Sequence, residues 1–189
     1  MTISKRRISV EEYMMIDANT DEKIEYLNGE IRAMAGTTLE HQIIIKNLIR
    51  LLDMCLREKG CTLVTGDMKL HTPDCEKAFL YPDIHIYCGE IEKEKMLYGA
   101  YSLKEPKIII EVLSDFTSNY DKGDKFECYK KIKSLEKYIM IESSLDTKEP
   151  AVYVRTLESE TKYTEEMLNM DAILEILDCE VSVKDIYEM

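Results

Sequence analysis

Two acidic residues in strand-like surroundings carry the most visible chemistry of this chain: Asp83 in YPDIHIYC and Glu111 in PKIIIEVL. Alternate side chains of a strand share a face. Glu111 therefore sits with Ile109 and Leu113, while Ile110 and Val112 point the other way. By the same rule Asp83 shares a side with His85, opposite Ile84 and Ile86. A carboxylate inside Ile-Ile-Ile-Glu-Val-Leu is costly to bury, so it must be protonated, paired with a cation or bound to metal. If the two strands are neighbours, Asp83 and Glu111 converge, and two convergent carboxylates repel unless a divalent ion lies between them. Magnesium suits such a site, because it binds few carboxylates and keeps waters for chemistry. The structural alternative is a plain ion pair between Glu111 and a lysine.

Cations follow in the next segment. Asp121, Lys125 and Tyr129 recur at four-residue intervals and share one helix face. Phe126, Tyr129 and Ile132 read as the core stripe of that helix, which would set Lys125 near the edge of the sheet. An ammonium there could orient an attacking water or offset charge on a phosphate; a solvated Asp-Lys pair is the everyday role of such a lysine. Glu25, in KIEYLNGEI, is either a further acidic ligand or an exposed strand carboxylate. The three histidines lack zinc-ligand spacing, and His41, His71 and His85 are expected to be structural or at the surface. No P-loop, nucleophile elbow or dinucleotide glycine motif is present.

The elements that must position these residues read as one domain, residues 1–189, with no repeat and no Pro/Gly linker. Ser9 and Glu12 make a capping-box start for a short helix, and Asn28-Gly29 marks a hairpin turn. A long helix runs from about Leu39 to Lys59 and is stopped by Gly60. Its apolar stripe (Ile44, Leu48, Leu51, Leu52 and Cys55, widened by Ile45, Ile49 and Leu56) suggests burial against a sheet plus a further contact, and hence a homodimer. CTLVTGDMKL, YPDIHIYC, PKIIIEVL and KYIMIE read as strands, with a helix from about Tyr120 to Lys133 before the last. AVYVRTL and KYTEEM look like an antiparallel pair, and VKDIYEM like a terminal helix. The sum is an α/β arrangement: a mixed sheet flanked by helices, with hairpins appended.

Composition narrows the setting. Twenty-five basic against thirty-seven acidic residues give a net charge of −12, which disfavours tight, nonspecific DNA binding without excluding metal-dependent cleavage. The dense cationic stretches are the N-terminal KRR and the lysines between Lys122 and Lys137. No stretch approaches the length of a membrane span and no signal peptide is visible, so the expected setting is cytoplasmic. The six cysteines show no C-x-x-C pair and are read as reduced, buried thiols rather than disulfides or a zinc site.

In order along the chain, SVEEYMMID, KIEYLNGEI, His41, TGDMKL, YPDIHIYCG, EPKIIIEVLSDFTSNYDKGDKFECYKKI and EKYIMIE resemble the Uma-two family of endonucleases. That family lies within the PD-(D/E)XK superfamily. The resemblance implies a restriction-endonuclease-like fold, metal held by Asp83 and Glu111, and Glu25 assisting from the first hairpin. It implies a magnesium- or manganese-dependent endodeoxyribonuclease acting on DNA. The superfamily's usual lysine, two residues after the second acid, is Leu113 here; Lys125 matches the family's lysine, with Lys122 second. The rival expectation is a nuclease fold without the reaction, a binding or scaffold protein in which Glu111 and Lys125 form a buried ion pair.

Overall fold

The computed structural model describes residues 7–34, 36–75, 77–114, 117–144 and 151–188. Lys5 and Arg6 of the N-terminal cationic run lie outside these residues. Helix α1 (Val10–Asp17) opens with the expected capping box: Ser9 Oγ accepts the Glu12 amide and the Glu12 carboxylate accepts the Ser9 amide. Strands β1 (Ile24–Leu27) and β2 (Glu30–Ala33) form the expected hairpin. Its turn residues Asn28 and Gly29 both have positive φ, 53° and 81°, as this tight turn requires.

The long helix is α2 (Leu39–Glu58), followed by Gly60 at φ 68°. Ile44, Leu48, Leu52 and Leu56 lie against the central sheet, and Ile45, Leu51 and Cys55 pack on the margin of the same core. That core also holds the C-terminal segment, β13 (Ile173–Ile176), β14 (Cys179–Ser182) and α5 (Val183–Ile186). The width of the stripe thus reflects two contacts within one chain and needs no second subunit to explain it.

Two six-stranded sheets organise the rest. The central sheet contains β3 (Cys61–Thr65), β6 (Ile84–Cys88), β9 (Ile108–Leu113), β10 (Lys137–Glu142), β11 (Val152–Ser159) and β12 (Lys162–Leu168), in spatial order β12-β11-β10-β9-β6-β3. Strand β9 pairs in parallel with β10 and antiparallel with β6, and all six of its residues are buried. A strand covered on both faces calls for an apolar run, and in β9 only Glu111 interrupts it. The second sheet, not anticipated from sequence, has the order β2-β1-β5-β4-β8-β7. Its further strands are β4 (Lys69–Thr72), β5 (Ala78–Leu80), β7 (Lys93–Lys95) and β8 (Tyr101–Leu103). CTLVTGDMKL, read as one strand, is therefore two strands in different sheets. The chain turns at Gly66-Asp67, where a Cβ on Gly66 would lie 3.3 Å from the Pro82 carbonyl oxygen.

Two further expectations change. The helix read over 120–133 is a short turn α3 (Ser118–Tyr120), a π-helical turn (Asp121–Lys125) and α4 (Phe126–Tyr129). The wide turn lets Asp121 and Lys125 both face inward, so Lys125 is buried rather than at the sheet edge. The six cysteines are paired as Cys55–Cys179, Cys61–Cys88 and Cys75–Cys128 instead of standing as thiols. The partners are 124, 27 and 53 residues apart in sequence, so spacing alone could not reveal the pairing. Among the described residues no helix is long and apolar enough to cross a membrane.

Candidate active site

Tyr81-Pro82-Asp83 carries the chain from β5 of the second sheet into β6 of the central one, and the site forms at that crossing. Ile84 pairs with Ile110, so the next position of the ladder sets Asp83 beside Glu111. The two residues are then joined through peptide groups. The Asp83 amide donates to Glu111 Oε2 at 3.3 Å, and the Val112 amide donates to Asp83 Oδ2 at 2.7 Å. The Asp83 carboxylate thereby takes up a β9 amide where the strand ladder ends.

The π-helical turn brings Lys125 onto the other side of Glu111. Its Nζ lies 3.1 Å from Glu111 Oε1, 3.1 Å from Glu25 Oε1 and 3.3 Å from Asp121 Oδ1. The Tyr129 hydroxyl also donates to Glu111 Oε1, at 3.0 Å, and the Tyr81 amide donates to Glu25 Oε1 at 2.9 Å. His41, in the first turn of α2, brings Nε2 to 3.2 Å from Asp83 Oδ2. Of these groups only Asp83 and His41 reach solvent, with side chains 16% and 14% exposed; Glu25, Glu111, Asp121 and Lys125 are buried.

The structure thus gathers all four residues singled out from sequence: Asp83, Glu111, Lys125 and Glu25. It adds Asp121, Tyr129 and His41, which had been given no part in the site. Asp121 and Tyr129 were signalled by their shared face with Lys125. His41 stands three residues before Ile44, at the head of the buried stripe of α2, and a polar residue on a core face was the available signal. His85 shares the Asp83 strand face but is buried and bonded through Nδ1 to the Tyr87 hydroxyl, 2.8 Å away. Asp67 is exposed and paired with Lys23, away from this cluster. Leu113, at the usual lysine position, is part of the apolar core.

The cluster holds more acid than base. Three carboxyls, those of Glu25, Glu111 and Asp121, lie within 3.3 Å of a single ammonium, and Asp83 stands beside Glu111. Burial pushes the Glu111 carboxyl well above the usual carboxylate range, against the downward pull of Lys125. Burial raises Asp121 as well. For Lys125 burial works against the charge, but Glu111, Glu25, Tyr129 and Asp121 outweigh it and hold the ammonium well above a free lysine.

The two candidate ligands share a pattern. Asp83 Oδ2 is occupied by the Val112 amide and His41, leaving Oδ1 without a hydrogen bond among the described residues. Glu111 Oε1 is occupied by Lys125 and Tyr129, leaving Oε2 with only the long Asp83 amide contact. Among the described residues no three acidic, histidine or cysteine side chains form a ready-made metal cage. Two hard oxygen donors are nevertheless the set magnesium takes while keeping its waters, so the residues present fit that ion.

A carboxyl whose folded pKa exceeds its unfolded value lends stability below the unfolded value and loses it as pH rises through the folded one. Glu111 and Asp121 are both raised, so metal-free protein should lose stability as pH climbs above the ordinary acidic range. A divalent ion at Glu111 competes with the proton there, so magnesium should raise the melting temperature more at about pH 8 than at about pH 5. Thermal denaturation with and without magnesium at both values checks this; an equal shift at both would place the cation elsewhere.

The model of the Uma2 family, described as "Putative restriction endonuclease", matches residues 10–182. The chain belongs to the Uma2 family. Two relatives of this Uma2 chain come from Synechocystis sp. (strain ATCC 27184 / PCC 6803 / Kazusa). "Uncharacterized protein slr1290" is 29% identical over 138 residues, covering 73% of this chain and 70% of its own length. "Uncharacterized protein sll1609" is 30% identical over 138 residues, covering 71% and 75%. The crystal structure of "a putative nuclease belonging to DUF820 from Anabaena variabilis ATCC 29413" superposes with a TM-score of 0.74 at 16% identity. It covers 95% of this chain and 97% of that one, and the Uma2 chain has the restriction-endonuclease-like fold. It is thus a member of a family of nucleases.

Proposed function

We propose that this Uma2 chain is an endonuclease that hydrolyses phosphodiester bonds of DNA with a magnesium or manganese ion held by Asp83 and Glu111. The observation that carries the reading is the paired arrangement of these two carboxylates. Each has one oxygen taken by two donors, while among the described residues Asp83 Oδ1 has no hydrogen bond and Glu111 Oε2 only the long Asp83 amide contact, in a cluster with more acid than base. When bound, such an ion lowers the pKa of a water and offsets charge on the phosphate. The chain's own residues do the rest. Lys125 and Tyr129 hold Glu111 Oε1, so that Oε2 faces Asp83. Glu25, fixed by the Tyr81 amide, holds Lys125 from its other side. The solvent-reaching flank at Asp83 and His41 is the side from which a phosphate can approach. With a net charge of −12, the chain relies on this local arrangement rather than on a general positive field to hold DNA.

The test is incubation of supercoiled and linear duplex DNA and of single-stranded DNA with the protein in magnesium, in manganese and in chelator. Metal-dependent strand breaks support the reading; none with any DNA in either metal would overturn it. A second reading is favoured by one observation: Lys125 pairs at once with Glu25, Glu111 and Asp121, all of them buried. In that case the cluster is a structural ionic core and the nuclease fold serves as a binding scaffold. Calorimetric titration with magnesium separates the two, since the scaffold reading expects no binding.

A further inference from the structure

The geometry points to His41 as a positioning residue of the metal site, one that orients Asp83 by hydrogen bonding and does not itself bind the ion. This inference rests on the reading of Asp83 and Glu111 as metal-binding residues. The Nδ1 atom of His41 is buried and has no hydrogen-bond partner among the described residues. A buried N–H with no acceptor is costlier than a bare lone pair in the same place, so the ring proton belongs on Nε2. In that tautomer Nε2–H donates to Asp83 Oδ2 at 3.2 Å. Together with the Val112 amide at 2.7 Å, it fills the acceptor positions of Oδ2 and leaves Oδ1 without a hydrogen bond among the described residues.

The same device appears on Glu111, where Lys125 at 3.1 Å and the Tyr129 hydroxyl at 3.0 Å both bind Oε1. Each metal-facing carboxylate is thus clamped through one oxygen by two donors from neighbouring elements. His41 is itself held in place by the helix start. Thr38 Oγ1 accepts the His41 backbone amide at 3.3 Å, which fixes the main chain from which the ring projects at the cap of α2. Groups that orient a ligand in this way commonly change metal affinity about 10- to 100-fold when removed.

The experiment is manganese titration by calorimetry on wild type, His41→Ala and His41→Gln, with electron paramagnetic resonance of the manganese-loaded wild type and melting curves of all three. We expect His41→Ala to weaken binding about 10- to 100-fold, with a melting temperature close to wild type. His41→Gln, whose side-chain amide can still donate to Asp83, should recover most of the affinity. The resonance spectrum should show no directly coordinated nitrogen. Wild-type affinity in His41→Ala, or a nitrogen bound to the manganese, would overturn the positioning role and leave the metal reading standing. Absence of manganese binding to wild type would instead remove both.

Discussion

Lys125→Met is expected to destabilise the metal-free protein by about 3–5 kcal/mol, because it leaves buried carboxyls without their counter-ion. Methionine fills nearly the same volume, so the cost is electrostatic rather than a cavity. Glu25, Glu111 and Asp121 all lose the ammonium that lies within 3.3 Å of each. For a chain of this size the loss corresponds to a fall in melting temperature of about 6–20 °C. Combining Lys125→Met with Glu111→Gln removes the carboxylate most deeply tied to that lysine and should restore a substantial part of the loss. Urea unfolding of the two single variants and the double variant measures the coupling directly. Strictly additive effects would show that the pair does not act as a unit.

The second large effect is on chemistry. Asp83→Ala should abolish calorimetric binding of magnesium and lower DNA cleavage by at least about a thousandfold, as the several kcal/mol that a bound ion contributes to the transition state disappear. Folding should survive, because Asp83 lies partly open to solvent and water can replace its carboxylate at the Val112 amide and His41. Asp83→Asn is the sharper control: it keeps an oxygen acceptor for both donors while an NH2 group replaces Oδ1 and the charge is lost. Measured rates for the two variants should be equally low. Cleavage by Asp83→Ala at the wild-type rate would mean that the ion, if one is used, is held by other residues.

Much of this site was legible in the chain itself, for reasons particular to its residues. Glu111 announced itself because a carboxylate cannot stand in a doubly covered strand such as β9 without a partner, and its neighbours alternate between the two cores as expected. Asp83 followed from the strand rule, and their adjacency needed only that β6 and β9 be neighbours. Lys125 was identified through the family's pattern, but its depth was not. That depends on a π-helical turn, and nothing in DKGDK distinguishes such a turn from an ordinary helical one. The second sheet was missed because β5, β7 and β8 have three residues each, too few to show a period. Glu25 could be named but not placed, since its position depends on that sheet meeting the central one at Tyr81.

The crossing between the two sheets also sets the order in which the cluster can assemble as the chain folds. Glu25, Asp83, Glu111 and Lys125 come from four separate stretches of chain, and no local hairpin or helix holds both Asp83 and Glu111. Pairings this distant in sequence are closed late, after their loop entropy has been met by other contacts. A nascent or partly folded chain therefore carries the acids but not their convergence. On the proposed function such a chain could not yet cut: Asp83 and Glu111 meet when β6 pairs with β9, and Glu25 reaches Lys125 only when the second sheet has docked.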